Sequence, residues 1–118
     1  MSEKYGELIK RMRIKHKENM GDMADWLGVK LPFVSACENG KKRIPDDWLE
    51  KIAKHYKLNE REKTELAESI DLTRDHIKID LAHISDCSKR AAFCFQRSIK
   101  IMDDDTAEKI IKLLEGDH

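Results

Sequence analysis

The sequence predicts an all-α protein, and three observations favour that class. Charged residues make up 39% of the 118 positions and aromatic residues only 6%, which is typical of a helical, highly solvated protein with a modest core. Apolar residues recur at spacings of three and four along several segments. Good helix caps stand where most of these segments begin. The length predicts one domain, or a small domain with an appended assembly element.

Two helices are predicted in the first 28 residues. The first covers about residues 5–17 and carries an apolar stripe at Tyr5, Leu8, Ile9 and Met12. The second begins at Asn19, a good N-cap with Asp22 three residues later, and ends at Gly28. Its apolar stripe consists of Met20, Met23, Ala24 and Leu27. The remaining faces of the first helix are basic.

A third and a fourth helix follow almost at once. Pro32 is tolerated in a first helical turn, and Asn39 with Gly40 stops the third helix. Two short helices joined by a tight glycine turn form a helix-turn-helix. A fourth helix begins after Pro45 and ends near Leu58, with an apolar stripe at Trp48, Leu49, Ile52, Ala53 and Tyr56. We therefore predict one closed core in residues 1–58 and a second region in 59–118.

The zero net charge conceals an asymmetry between the two halves. Residues 1–59 carry 13 basic and 9 acidic side chains, a balance of +4, whereas residues 60–118 carry 10 and 14, a balance of −4. Basic side chains concentrate in residues 4–17 and in the cluster Lys41-Lys42-Arg43. A concentration of this kind favours a polyanionic partner such as DNA for the first half.

Two blocks of sequence carry a family resemblance. They are Met23-Ala24-Asp25-Trp26-Leu27-Gly28-Val29 and Val34-Ser35-Ala36-Cys37-Glu38-Asn39-Gly40-Lys41-Lys42. At their mutual distance they resemble the DNA-binding domain of the Xre and lambda-type phage repressor family, over about residues 5–58. The resemblance implies a five-helix unit that binds double-stranded DNA as a dimer, and a partly buried structural ion pair between Arg13 and Glu38.

The same resemblance implies where DNA contacts lie. Base contacts fall to the outward positions at the start of the third helix, which enters the major groove: Lys30, Leu31, Pro32, Phe33, Ser35 and Ala36. Phosphate contacts fall to the start of the second helix and to the loop after the third: Asn19, Met20, Asn39, Lys41, Lys42 and Arg43. Met20 replaces a glutamine frequent in the family, so only backbone amides remain there. Phe33 and Leu31 could instead pack against helix 2 or helix 4.

The sequence pattern of residues 59–118 predicts a dimerisation region. Asn59 with Glu62 begins a fifth helix, and further amphipathic helices follow over about residues 86–101 and after the acidic triplet 103–105. The alternation in Ile77–Leu81 predicts a short strand that pairs with its copy across a twofold axis. The predicted dimer residues are Ile77, Ile79, Leu81, Phe95 and Ile99. The alternative is that this region extends the monomer core.

Other kinds of site are not indicated. The histidines and the three cysteines lack metal-ligand spacing, and Cys87 and Cys94 are expected to be buried small residues, with an intermolecular redox switch as the alternative. No Ser/His/Asp set or phosphate-binding glycine loop is present, so we expect no enzyme and no cofactor. Reduced cysteines and the absence of an apolar run predict a cytoplasmic protein without membrane contact.

Two classes of function remain. The first is a sequence-specific transcriptional regulator, a repressor that binds a palindromic operator as a homodimer. The second is an antitoxin that binds a toxin partner and represses its own operon. The sequence predicts that Trp26 is exposed on the outer side of the second helix, and an exposed tryptophan favours a protein partner such as a toxin or a regulatory protease.

Overall fold

The computed structural model describes residues 3–116, and this range is all-helical, as the sequence predicts. It contains seven α-helices and one short 3-10 helix, Ile99–Ile101, and no strand. The α-helices are α1 (Tyr5–Lys15), α2 (Met20–Leu27), α3 (Leu31–Glu38), α4 (Trp48–His55), α5 (Glu60–Asp71), α6 (Asp86–Ser98) and α7 (Asp104–Glu115).

Side-chain caps set the starts of four of the seven described α-helices, α2, α5, α6 and α7. Asn19 and Asp22 form a complete capping box at the start of α2, with Asn19 Oδ1 accepting a hydrogen bond of 2.8 Å from the Asp22 amide. Asn59 and Glu62 do the same at the start of α5. Gly28 ends α2 with φ of 72°, a left-handed conformation that favours glycine. These predicted starts and stops are confirmed.

The chain divides into two compact units, and the division falls after Ile77. The predicted boundary at residue 58 therefore lies inside the first unit. The reason is α5, which packs on α1 and α4 and buries Leu66 completely and Ile70 to 7% exposure. For residues 59–77 the alternative expectation, an extension of the monomer core, describes the structure.

The core of the first unit lies where α1 and α2 pack on α3, and where α5 packs on α1 and α4. The predicted apolar stripe of α1 is buried in full. The largest fully buried side chains are Trp48, Leu8, Ile9, Met23, Ile44, Ile52, Leu66, Val34 and Cys37. This core leaves the start of α3 and the loop after it at the surface.

The second unit begins at Lys78 and contains α6, the 3-10 helix and α7. None of its described residues is buried. The expectation of a strand over Ile77–Leu81 is wrong, because this segment has an irregular backbone and no neighbouring strand to pair with. Cys87 and Cys94 are exposed free thiols in the described chain rather than buried residues. No helix among residues 3–116 has the length and apolar character to cross a membrane.

Candidate nucleic-acid interface

The start of α3 is the exposed end of the predicted base-reading surface. The turn before it is short, because Gly28 ends α2 and the Val29 amide donates back to the Ala24 carbonyl at 3.0 Å. Lys30, the N-cap of α3, is exposed, as are the first two helical residues, Leu31 and Pro32. These three side chains are the part of α3 that a ligand can reach most freely.

The later positions of α3 offer less surface. Phe33, Ser35 and Ala36 are half-buried. The Phe33 ring packs edge-on against Trp48 of α4, with ring centroids 5.6 Å apart. For Phe33 the alternative from the sequence, packing against helix 4, therefore describes the structure, and its assignment to base contact is not supported. Ser35 is within 3.4 Å of the Asn39 side-chain amide, which orients both groups.

The loop after α3 carries two lysines with free ammonium groups. The amides of Lys41 and Lys42 both donate to the Ala36 carbonyl, at 2.8 and 3.3 Å, so the loop is fixed against the last turn of α3. Gly40 allows this turn with φ of 76°. Both lysine side chains are exposed, and neither forms an ion pair within residues 3–116.

Unlike the two lysines, Arg43 forms an ion pair. Its guanidinium lies 2.9 Å from the Asp46 carboxylate, and this hydrogen bond holds the pKa of the Asp46 carboxyl below its usual range. Arg74, after the end of α5, donates to the Ile44 carbonyl at 2.8 Å and lies 3.4 Å from Asp46. Asp46 therefore holds two arginines, and the charge of Arg43 is partly neutralised. The part played by Arg74 was not predicted, because no local spacing links it to this loop.

The start of α2 has fewer groups that can bind a phosphate than the sequence predicts. The amides of Met20 and Gly21 have no acceptor among the described residues, as is usual in the first turn of a helix. The Asn19 side chain accepts the capping bond, and the Asp22 carboxylate lies at the same helix end. Met20 is half-buried against the core. Two backbone amides beside one carboxylate form a weak phosphate site.

A bidentate ion pair fixes the other end of α3. Arg13 Nη1 lies 2.6 Å from Glu38 Oε2 and Arg13 Nη2 lies 3.0 Å from Glu38 Oε1, with the two side chains only 7% and 9% exposed. The pair implied by the family resemblance is thus present. Gly6 makes the approach of α1 possible, because a Cβ there would lie 2.6 Å from the Glu38 carbonyl oxygen. The ion pair holds α3 at a fixed distance from α1.

Trp26 is not the exposed tryptophan that the sequence predicts. Its ring stacks on His55 with centroids 3.9 Å apart, and its indole N–H donates to the Glu18 carboxylate at 3.2 Å. Glu18 also accepts a hydrogen bond from Tyr56. The outer side of α2 is thus joined to the end of α4, and the side chain proposed as a protein-binding surface is already packed within the unit.

Much of the basic surface of α1 is already paired. Arg11 lies 2.7 Å from Glu3, Lys15 lies 4.0 Å from Glu62 of α5, and Arg13 belongs to the buried pair. With the division after Ile77, residues 1–77 carry 16 basic and 15 acidic side chains, a balance of +1, and residues 78–118 a balance of −1. The asymmetry between halves disappears because acidic α5 belongs to the first unit. The free positive charge near α3 is local, at Lys30, Lys41 and Lys42.

The predicted dimer residues lie in or near the second unit. Ile77 is 75% exposed and Ile79 is 57% exposed, within the irregular segment between α5 and α6. Leu81 and Phe95 are half-buried, and Ile99 is exposed in the 3-10 helix. Along residues 3–116, no group of three or more side chains is arranged to hold a metal ion.

Comparisons with protein families, with curated proteins and with solved structures find no match for this chain.

Proposed function

We propose that this protein is a sequence-specific, DNA-binding transcriptional regulator that resembles the Xre and lambda-type repressors and represses by occupying a palindromic operator as a homodimer. The observation that carries the proposal is the surface around α3. Two eight-residue helices, α2 and α3, are joined by a tight turn, and the exposed start of α3 has Lys30, which forms no ion pair with any residue in 3–116. Lys41 and Lys42, which also form no ion pair within that range, follow the other end of α3.

The dimensions of α3 suit a groove of duplex DNA. An α-helix with its side chains is about 10–12 Å in diameter, and the major groove, about 12 Å wide, admits such a helix. Lys41 and Lys42 beyond its C-terminal end are free to bind phosphates as point charges. The ion pair of Arg13 with Glu38 and the packing of Phe33 against Trp48 hold α3 against α1 and α4, so the backbone positions that carry the lysines are fixed.

Base reading in this proposal is sparse. Lys30 is the one exposed side chain at the start of α3 that can make a bidentate contact with guanine, and Leu31 offers an apolar contact for a thymine methyl group. Specificity then depends on two half-sites read together and on the deformability of the intervening DNA. A single first unit discriminates poorly between sequences, because its phosphate contacts contribute without regard to sequence.

Salt dependence of binding tests the phosphate contacts. Replacement of Lys41 and Lys42 with Ala removes two cations, and the slope of log K against log salt should become shallower by about 0.9 for each, for specific and random duplexes alike. The matched control replaces Lys10 and Lys54, which are exposed and form no ion pair in the described chain, and should change the slope little. An unchanged slope in the Lys41/Lys42 variant would contradict the phosphate assignment, and absence of duplex binding at low salt would contradict the proposed function.

The antitoxin function is the second candidate, and it has less support. Its basis in the sequence was an exposed Trp26, and that ring is stacked on His55 and hydrogen-bonded to Glu18. Most of the large exposed apolar side chains lie in the second unit, where Ile101, Leu113 and Leu114 are 88%, 80% and 82% exposed.

A further inference from the structure

The second unit contains two amphipathic helices whose apolar side chains are at most partly covered. None of the described residues of α6, the 3-10 helix or α7 is buried. Exposed apolar side chains on this scale mark an interaction surface. The pattern of charge beside each apolar face indicates what covers it.

Small side chains and arginines define the interacting face of α6. At about 3.6 residues per turn, one narrow face carries Cys87, Ala91, Cys94 and Ser98. Arg90 and Arg97 lie along the counter-clockwise side of this face when α6 is viewed from its N-terminus, and Phe95 lies along the other side. An open groove of about 620 Å³ lies between this face and the arginine side of α6, and is lined by Cys87, Arg90, Ala91, Phe93, Cys94 and Arg97.

Larger side chains and carboxylates define the corresponding face of α7. Its apolar face carries Ala107, Ile110, Ile111 and Leu114. Viewed from the N-terminus, Asp104, Glu108 and Glu115 lie along the clockwise side, and Leu113 lies along the other side. Residues 103–115 contain five acidic and two basic side chains, whereas residues 86–101 contain four basic and one acidic. The two helices thus carry opposite net charges, −3 and +3.

These charges are not matched within the described chain. No side chain of α6 or of the 3-10 helix forms an ion pair with any residue in 3–116. In α7 the one ion pair found over the same range is internal, between Lys109 and Asp105 at 3.0 Å. Arg90 and Arg97 on one helix, and Glu108 and Glu115 on the other, therefore remain available to a partner.

Only a parallel arrangement of α6 and α7 joins the two charged edges. When two parallel helices pack face to face, the clockwise edge of one meets the counter-clockwise edge of the other, as in a parallel coiled coil. Arg90 and Arg97 then meet the carboxylates, and Phe95 meets Leu113. In an antiparallel pair like edges meet, so the arginines would face Leu113 and the carboxylates would face Phe95.

The parallel pair cannot form within one chain. Met102 and Asp103 are the two residues between the 3-10 helix and α7, and two residues span at most about 7 Å. A parallel return would have to span the length of α6, about 20 Å for 13 residues. Short connections join antiparallel neighbours. The partner of each helix in the parallel arrangement is therefore on another chain.

We propose that the second unit is a homodimerisation element in which α6 of one copy packs parallel to α7 of a second copy, and α7 of the first packs on α6 of the second. A twofold axis that maps α6 of one copy onto α6 of the other relates the two α6–α7 contacts to each other. Both contacts therefore form together, as in an isologous interface. The proposal rests on the proposed function in one respect, namely that the regulator acts as a homodimer.

Spacing and side-chain size support the same pairing. Arg90 and Arg97 are seven residues apart, as are Glu108 and Glu115, so each pair covers about 10 Å along its helix and the two pairs can meet in register. The small residues on the face of α6 leave room for the isoleucines and Leu114 of α7, which is the alternation of small and large that close packing requires. The exposed thiols of Cys87 and Cys94 become buried in the dimer.

Charge reversal with mixing tests the exchange. Variant one carries Arg90→Glu and Arg97→Glu, and variant two carries Glu108→Arg and Glu115→Arg. By light scattering without DNA, the unmodified chain should have twice the monomer mass of 13.8 kDa, and each variant alone should be monomeric. An equimolar mixture should recover the dimer mass, because α6 of variant one then meets α7 of variant two and both exchanged contacts are attractive.

A matched variant distinguishes loss of this interface from a general effect of charge on association. Lys89→Glu with Lys100→Glu changes the charge of the α6 region equally but away from the arginine edge, so this variant should stay dimeric. A monomeric unmodified chain, variants that stay dimeric alone, or a mixture that stays monomeric would each overturn the proposal. The salt slope of the Lys41/Lys42 variant is independent of these masses, so failure of the interface and failure of the proposed function are distinguishable.

Discussion

The hydroxyl group of Tyr56 donates a hydrogen bond of 2.8 Å to the carboxylate of Glu18, across 38 positions of the chain. Trp26 and His55 contact the same carboxylate, at 3.2 and 2.8 Å. Glu18 therefore ties the loop after α1 to α2 and to the end of α4. The three hydrogen-bonding partners stabilise the ionised form of the Glu18 carboxylate over its neutral form.

We expect Glu18 to make stability depend on pH. Burial by itself raises the pKa of the Glu18 carboxyl, but the hydrogen bonds from His55, Tyr56 and Trp26 outweigh burial and hold that pKa below its ordinary value of 4.5. A pKa lower in the folded than in the unfolded state contributes stability above the unfolded pKa, and this contribution is lost as pH falls through the folded pKa. Glu18→Gln should therefore cost about 1–2 kcal/mol at pH 7 and less below about pH 4.5.

Urea unfolding from pH 7 to pH 3 measures this difference. Glu68→Gln is the control, because Glu68 is exposed and forms no ion pair among the described residues. A gap between Glu18→Gln and the unmodified chain that stayed constant over the whole pH range would show that the ionised carboxylate is not what stabilises the cluster.

The ion pair of Arg13 with Glu38 should contribute far more to stability than a surface pair. Glu38→Gln leaves the buried Arg13 guanidinium without a charged partner, which should cost about 3 kcal/mol. Glu50→Gln removes an equally short pair, 2.7 Å from Lys63, in which the Glu50 side chain is 72% exposed, and should cost about 0.5 kcal/mol. Denaturant unfolding at pH 7 compares the two variants. Equal losses would mean that burial does not set the contribution of the Arg13 pair.

Removal of the Asp46 charge should strengthen DNA binding. Asp46 holds Arg43 at 2.9 Å, beside the free Lys41 and Lys42. Asp46→Asn releases the guanidinium for a phosphate, so affinity should rise and the slope of log K against log salt should steepen by up to about 0.9. Asp47→Asn is the matched control, because Asp47 is the next residue, carries the same charge and pairs with Lys51 and not with Arg43. If the two variants behaved alike, net charge and not Arg43 would account for the effect.

Truncation should distinguish the first unit from the predicted four-helix core. A chain that ends at Ile77 retains α5, and we expect it to unfold cooperatively as a monomer. A chain that ends at Leu58 loses the buried Leu66 and Ile70, and each loss of this kind costs about 2–5 kcal/mol, so this chain should be largely unfolded. Circular dichroism during thermal unfolding reports both. A cooperative transition in the shorter chain would show that α5 is dispensable for the core.

Signals within a few residues determined where α2 and α5 begin and where α2 ends. Asn19 and Asp22 are three positions apart, as are Asn59 and Glu62, and Gly28 acts through its own backbone conformation. Such contacts depend only on residues a few positions apart, so the sequence predicts them. The apolar stripe of α1 was predictable for the same reason, because helical periodicity alone assigns its face.

The role of α5 could not be deduced in this way. Its amphipathic pattern suits a monomer core and a dimer interface equally well, and only its packing on α1 and α4 decides between them. The same packing removed the charge asymmetry between the halves. The alternation in Ile77–Leu81 was misleading, since a strand exists only where a neighbour supplies its hydrogen bonds.

The sequence by itself determined the all-α class, the capped starts of helices such as α2 and α5, and the positions of the basic side chains around α3. The tertiary structure decided which of those side chains are free. Arg43 pairs with Asp46, three positions later in the loop between α3 and α4, and Arg74 reaches the Ile44 carbonyl from 30 positions away. Trp26 is packed because Glu18 and His55 meet it from different elements. Contacts between residues far apart in sequence follow no local spacing rule, so only the closed core brings these groups together.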